Sequence, residues 1–152
     1  MSKVTFSVSG KNESPAKFVA KARNFKIVID EPQNLGGTDE GPNPVEYVLA
    51  AYAGCLNVLG HIVAQEQGID LTSLQIELEG DLDPDKIFGK PTDARPGYQE
   101  IRIKLIPEST AGTEALEKWL NEVEARCPVN DNLVNPTPVK VVVDKQLSVS
   151  SN

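Results

Sequence analysis

The chain reads as an α+β protein in which antiparallel sheets pack on one long, apolar central helix, and three observations predict it. Apolar residues alternate with polar ones at Val4, Phe6 and Val8, at Leu74, Ile76 and Leu78, at Ile101, Ile103 and Leu105, and at Val139, Val141 and Val143. A spacing of three and four residues instead governs the segment from Val45 to Val63, the strongest helical pattern in the chain. Turn-prone runs near Gly10 and Asn24 are short, which favours antiparallel neighbours over crossover connections.

Each element follows in order. Residues 3–30 carry two or three strands, interrupted at Gly10-Lys11-Asn12-Glu13-Ser14-Pro15 and again near Asn24. Residues 31–43 hold Gly36, Gly37, Gly41, Pro42 and Asn43 without periodicity, so they form a loop. The central helix spans 44–67, about 36 Å long, with Asn43 as N-cap, Pro44 at the first helical position and Gly68 as the stop. Two strands within 72–106 flank a linker from Gly80 to Gly97 rich in Asp, Pro and Gly. Thr113 is placed to cap a second helix over 113–126, with Leu116, Trp119, Leu120 and Val123 as its apolar stripe. A last strand covers 138–146.

At 152 residues this is one domain, 1–152, large enough to bury a core without metal or disulfide staples. Hydrophobic residues at 39% and charged residues at 24% match soluble globular usage, which argues against disorder and against a membrane protein. Fifteen Lys and Arg against 22 Asp and Glu leave a net charge of -7 with no basic cluster, so nucleic acid is excluded as an expected partner. Met1 to Gly10 lacks the apolar core of a signal peptide, and a cytoplasmic location is expected.

The central helix is poor in charge on every side: Ala50, Ala53, Gly54, Gly60 and Ala64 face away from its main stripe, with Glu46, Asn57 and His61 as the polar members. Such a helix needs cover all round. Burial between a sheet and a partner subunit accounts for it better than a membrane span, because two glycines and three polar residues interrupt a run barely long enough to cross.

Two cysteines, Cys55 on this helix and Cys127 at the end of the second, are either inert core thiols or chemistry, since two alone cannot build a four-ligand zinc site. A reactive thiol must be ionised near neutral pH, which takes a cation or a helix N-terminus nearby, whereas apolar surroundings raise its pKa. His61, six residues after Cys55, lies about 240° round the helix, and Glu46, nine residues before it, about 900°, so neither reaches the sulfur in an unbroken helix. Glu46 instead has the capping-box spacing from Asn43. A Cys55, His61, Cys127 metal site is disfavoured for the same reason, and no metal is expected. Tyr52, Leu56 and Leu59, with Ile62, share the face of Cys55 and would line an apolar pocket around it.

The run Gly36-Gly37-Thr38-Asp39-Glu40-Gly41-Pro42-Asn43-Pro44-Val45-Glu46, continuing through Ala50-Ala51-Tyr52-Ala53-Gly54-Cys55, resembles the OsmC/Ohr family, as do Cys127-Pro128-Val129 and Arg95-Pro96-Gly97-Tyr98. The resemblance covers most of the chain. It implies a homodimer of intertwined α+β subunits that reduces organic hydroperoxides without a cofactor. Cys55 would be the nucleophile, Cys127 the resolving thiol, and a thiol reductant would regenerate the pair. It also implies an activating arginine from the N-terminal region, for which Arg23 is the only candidate ahead of the helix; Arg126, beside Cys127, is a second cation. Peroxidase branches carry an acid at the helix start where this chain has Val45. The alternative is therefore a non-catalytic dimer of the same fold that binds an apolar ligand or acts as a redox sensor.

Overall fold

A computed structural model of the chain describes residues 2–145. Three short strands, β1 (Ser9–Asn12), β2 (Phe18–Ala22) and β3 (Phe25–Ile29), form an antiparallel sheet in that order. A 3₁₀ turn at Gln33–Leu35 lies within the following loop, and α1 runs from Pro44 to Glu66. Strands β4 (Ser73–Leu82) and β5 (Tyr98–Glu108) make a long antiparallel hairpin, followed by α2 (Thr113–Arg126) and α3 (Pro128–Val134). The fold is α+β with antiparallel sheets.

Both ends of α1 are closed by local chemistry. Asn43 accepts the Glu46 N–H at 2.8 Å while the Glu46 carboxylate accepts the Asn43 N–H at 3.1 Å, a complete capping box. At the other end Gly68 adopts φ 69, its N–H bonds to Gln65 and the Ile69 N–H reaches back to Ala64, the two bonds of a Schellman motif.

The core lies where α1 meets α2 and the inner face of the hairpin. Tyr52, Leu56, Val63 and Ala64 of α1 pack with Trp119, Val123 and Cys127, and the hairpin adds Leu74, Ile76, Leu78, Ile103 and Leu105. Alternate hairpin residues are exposed, as a sheet with one covered face requires. Gly60 sets the distance between the helices: a Cβ there would stand 3.0 Å from Leu74 and 3.2 Å from Trp119, whose indole N–H donates to the Gly60 carbonyl at 2.8 Å. Tyr98 lies against Gly80 and donates its hydroxyl to the Val45 carbonyl at 2.7 Å, tying β5 to the start of α1.

Four expectations need correction. The alternation at Val4, Phe6 and Val8 forms no strand; β1 begins at Ser9, and Phe6 is 90% exposed. Residues 138–145 form no strand either, with Val143 94% exposed, and residue 146 lies outside the described residues. Both segments carry the strand pattern, but among the described residues nothing in the chain pairs with them. Thr113 does not cap α2; Gly112 holds that position without a side-chain bond, and Thr113 is the first helical residue. Finally α3 was not expected, although Pro128 stands at its first position just as Pro44 does in α1.

Candidate functional site

Cys55 and Cys127 come together from 72 residues apart, because α1 and α2 cross at Gly60 and Cys127 ends α2 on the buried side. Their sulfurs are 2.7 Å apart, so a disulfide needs only about 0.7 Å of further approach. Cys127 is 1% exposed and enclosed by the core, whereas Cys55 is half-buried. The Cys55 side opens into an apolar hollow of about 430 Å³ formed with Gly54, Val58, Leu59 and Pro128.

The first turn of α3 supplies a donor to the thiol pair: Cys127 is the N-cap of α3, its sulfur accepting the Asn130 N–H at 3.3 Å. Burial and the neighbouring Cys127 thiol push the Cys55 pKa up, and the Val129 N–H opposes them only in part. Among the described residues no cation figures among the groups acting on Cys55. Within a single chain the pair is therefore arranged for a disulfide but not for thiolate.

Arg23 does not meet Cys55 in this chain. It lies exposed in the two-residue turn between β2 and β3, its guanidinium 4.9 Å from the Phe25 ring centroid. Its φ of 54 is in the left-handed region that favours glycine. The sheet that carries it is anchored to α1 at the opposite end, where Tyr47 donates to the Val28 carbonyl at 2.6 Å. Arg126 is engaged elsewhere, bonded to Glu66 at 2.6 Å with Glu122 at 3.6 Å. Glu46 is held in the capping box, and His61 is exposed, its Nδ1 2.8 Å from the Asn57 carbonyl.

The residues expected to surround the sulfur divide three ways. Leu59 lines the hollow beside Cys55; Leu56 is buried in the core; Tyr52 opens onto a different groove of about 680 Å³, shared with Val48, Tyr98, Leu133 and Arg95. Burial, then the nearby Cys127, Glu124 and Cys55, push the Tyr52 phenol up to about 12, and its hydroxyl donates to the Asn130 side chain. Asn130 carried no recognisable signal in the sequence, because its role depends on a helix that only Pro128 announced.

Beneath the loop between β3 and α1 lies Asp30, which is fully buried. Its carboxylate accepts the N–H groups of Glu31, Thr38 and Glu40 and the Thr38 hydroxyl, the last at 2.7 Å. Burial alone would raise its pKa, but the Thr38 side chain and those N–H groups outweigh it and hold the group at about 2. Glu40 continues the network to Lys17 at 2.6 Å. Gly37 is required here, since a Cβ would collide with the Glu31 carbonyl.

Comparison with known proteins agrees with this architecture. The profile of the family described as OsmC-like protein matches residues 37–142. A relative from Mycoplasma genitalium named hydroperoxide reductase is 25% identical over 129 residues, covering 84% of this chain and 86% of its own. Among solved structures, an OsmC-like protein from Mycoplasma pneumoniae superposes with a TM-score of 0.77 at 20% identity, over 89% of this chain and 91% of that one. An organic hydroperoxide resistance protein from Legionella pneumophila superposes with a TM-score of 0.63 at 19% identity, over 88% and 91%.

Proposed function

This chain belongs to the OsmC-like protein family, and we propose that it is a thiol-dependent peroxidase for organic hydroperoxides. The observation that carries the reading is the 2.7 Å between the Cys55 and Cys127 sulfurs, one opening to an apolar hollow and the other enclosed. The Cys55 thiolate attacks the terminal peroxide oxygen; the O–O bond breaks and the alkoxide takes a proton to leave as the alcohol. The sulfenic acid on Cys55 then condenses with the Cys127 thiol, releasing water and forming the disulfide. A dithiol reductant returns both sulfurs to thiols. The hollow favours a hydroperoxide with an apolar body over hydrogen peroxide.

The working form is a homodimer. Its support is the apolar surface left open on the single chain: Phe6, Val8, Val139, Val141 and Val143 are exposed, the β4–β5 hairpin has unpaired edges among the described residues, and Val58 and Ile62 of α1 face solvent. By length and composition α1 is apolar enough to cross a membrane, and a second copy is the cover the exposed strand patterns match. Arg23 of that second copy supplies the cation. Its exposure at the tip of the β2–β3 turn, away from any partner carboxylate among the described residues, supports that role.

Stopped-flow mixing of the reduced protein with cumene hydroperoxide tests the reading. A Cys55-Cys127 disulfide forming with one equivalent of oxidant is the expected result; thiols that stay free for hours reject it. The second reading, a non-catalytic dimer holding an apolar ligand in the hollow, draws on the raised Cys55 pKa and on Val45 at the helix start. It predicts co-purified lipid together with unreactive thiols.

A further inference from the structure

Positive charge is unevenly placed along this chain. Residues 1–29 hold six Lys and Arg against one acid, a net charge of +5, and residues 30–152 hold nine against 21, a net charge of -12. No basic run stands out in the sequence, but the small sheet gathers these residues. Lys21 of β2 stands directly opposite Lys26 of β3, and Ser9 of β1 opposite Lys21, so Lys11, two residues after Ser9, lies on the same face. Buried Ala20 points to the other face. Arg23 sits in the turn at the end of the sheet. All four cations are exposed, and none has an ion-pair carboxylate among the described residues. Lys21 and Lys26 also line a hollow of about 310 Å³ with Ser9, Val19 and Asn24. Like charges directly opposite each other on paired strands are destabilising, and the single chain leaves this repulsion uncompensated.

We propose that this face docks on a second copy of the chain, with Lys21 and Lys26 against Glu124 and Asp131 of that copy, and so delivers the turn holding Arg23 to its thiol pair. Charge complementarity names the occupant: a stretch of +5 meets a body of -12, and two-fold symmetry makes the contact twice. Glu124 and Asp131 flank Cys127, three residues before it and four after it. Both are exposed, and neither has an ion-pair partner among the described residues. Glu124 lines the open groove that also holds Tyr52 and Asn130, and the Asp131 N–H bonds to the Cys127 carbonyl. A two-residue turn holds Arg23 next to the Lys21–Lys26 pair, so seating the lysines fixes where the guanidinium falls. The inference rests on the homodimer reading and names the surfaces that meet in it.

The test co-expresses two differently tagged forms of the full chain. One keeps Lys21 and Lys26 but carries Glu124→Gln and Asp131→Asn; the other keeps the acids but carries Lys21→Gln and Lys26→Gln. The pair is isolated through both tags and treated with a carbodiimide, which joins an amine directly to a neighbouring carboxylate, and the linked peptides are read by mass spectrometry. Links from Lys21 or Lys26 to Glu124 or Asp131 can form only between copies. They are the expected result, with a yield that falls several-fold from about 50 mM to about 500 mM NaCl as screening shortens the reach of the charges. A co-purified pair without these links, or with links indifferent to salt, overturns the proposal and leaves the homodimer standing. A wild-type chain that sediments as a monomer rejects the homodimer reading, and the proposal with it. A monomer that binds phosphatidylglycerol vesicles, and loses that binding in the Lys21→Gln, Lys26→Gln form, assigns the face to a lipid surface and overturns the proposal as well.

Discussion

Two acidic groups lie under cover in this chain, Asp30 below the loop before α1 and Cys55 beside α3, and they are driven in opposite directions. Burial acts against the charged form of both. Asp30 is met by three backbone N–H groups and the Thr38 hydroxyl, and remains a carboxylate down to about pH 2. Cys55 is met by one N–H and by a second thiol that offers no positive charge, and it is pushed toward the neutral form. Cover therefore does not decide ionisation; the number of donors turned inward does. One group is surrounded by donors within the chain and the other is not.

The largest expected effect bears on the Cys55 region. Cys55→Ser reduces hydroperoxide consumption to the background rate, while Cys127→Ser still consumes one equivalent and then stops, both read by peroxide assay. Wild-type turnover by Cys55→Ser would dissolve the comparison, since Cys55 would then be an inert core thiol.

Next in size is Arg23→Ala. If a second copy completes the thiol site with this cation, the rate near neutral pH falls about ten-fold or more, as loss of an opposite charge allows. It recovers as the pH rises past the raised Cys55 pKa, where the thiolate forms unaided. A loss that persists at alkaline pH would mean that Arg23 acts on something other than the sulfur.

A smaller effect belongs to the Asp30 region. Asp30→Asn keeps the size of the side chain but leaves three N–H groups sharing one weaker acceptor, and thermal unfolding drops by several degrees. The sign of its pH dependence is fixed. Because the folded pKa is depressed, the stabilisation is full above the ordinary carboxylate range and fades as pH falls through it toward about 2. Amide exchange at Thr38 and Glu40 should stay protected at pH 4 in the wild type and be faster in the variant. The smallest change is Asn43→Ala, which removes the cap of α1 and costs about 1 kcal/mol in denaturant titration.

The readable parts of the molecule are those that local rules decide. Asn43, Pro44 and Glu46 announce the start of α1, and Gly68 its end, because capping needs only neighbours in the chain. The hairpin strands were legible from alternation, and the pairing of Cys55 with Cys127 followed from the family resemblance. Val4 to Val8 and Val139 to Val143 display the same alternation without becoming strands, because among the described residues neither segment pairs with a sheet edge, and an unpaired segment gains nothing from the pattern. Expecting Leu56 at the pocket failed for a related reason: a helix face shared with Cys55 does not distinguish the part covered by α2 from the part left open.

By itself, then, the sequence determined the fold class and the long helix with its two caps. Only the tertiary structure decided that the Cys55 and Cys127 sulfurs meet and how they are surrounded. The N–H donor to Cys127 comes from Asn130 of α3, whose side chain is bonded to Tyr52 from 78 residues away, and no periodicity in the chain encodes a contact of that kind. Ionisation depends on every group within a few ångströms of the sulfur, and the fold, not the order of residues, brings those groups together.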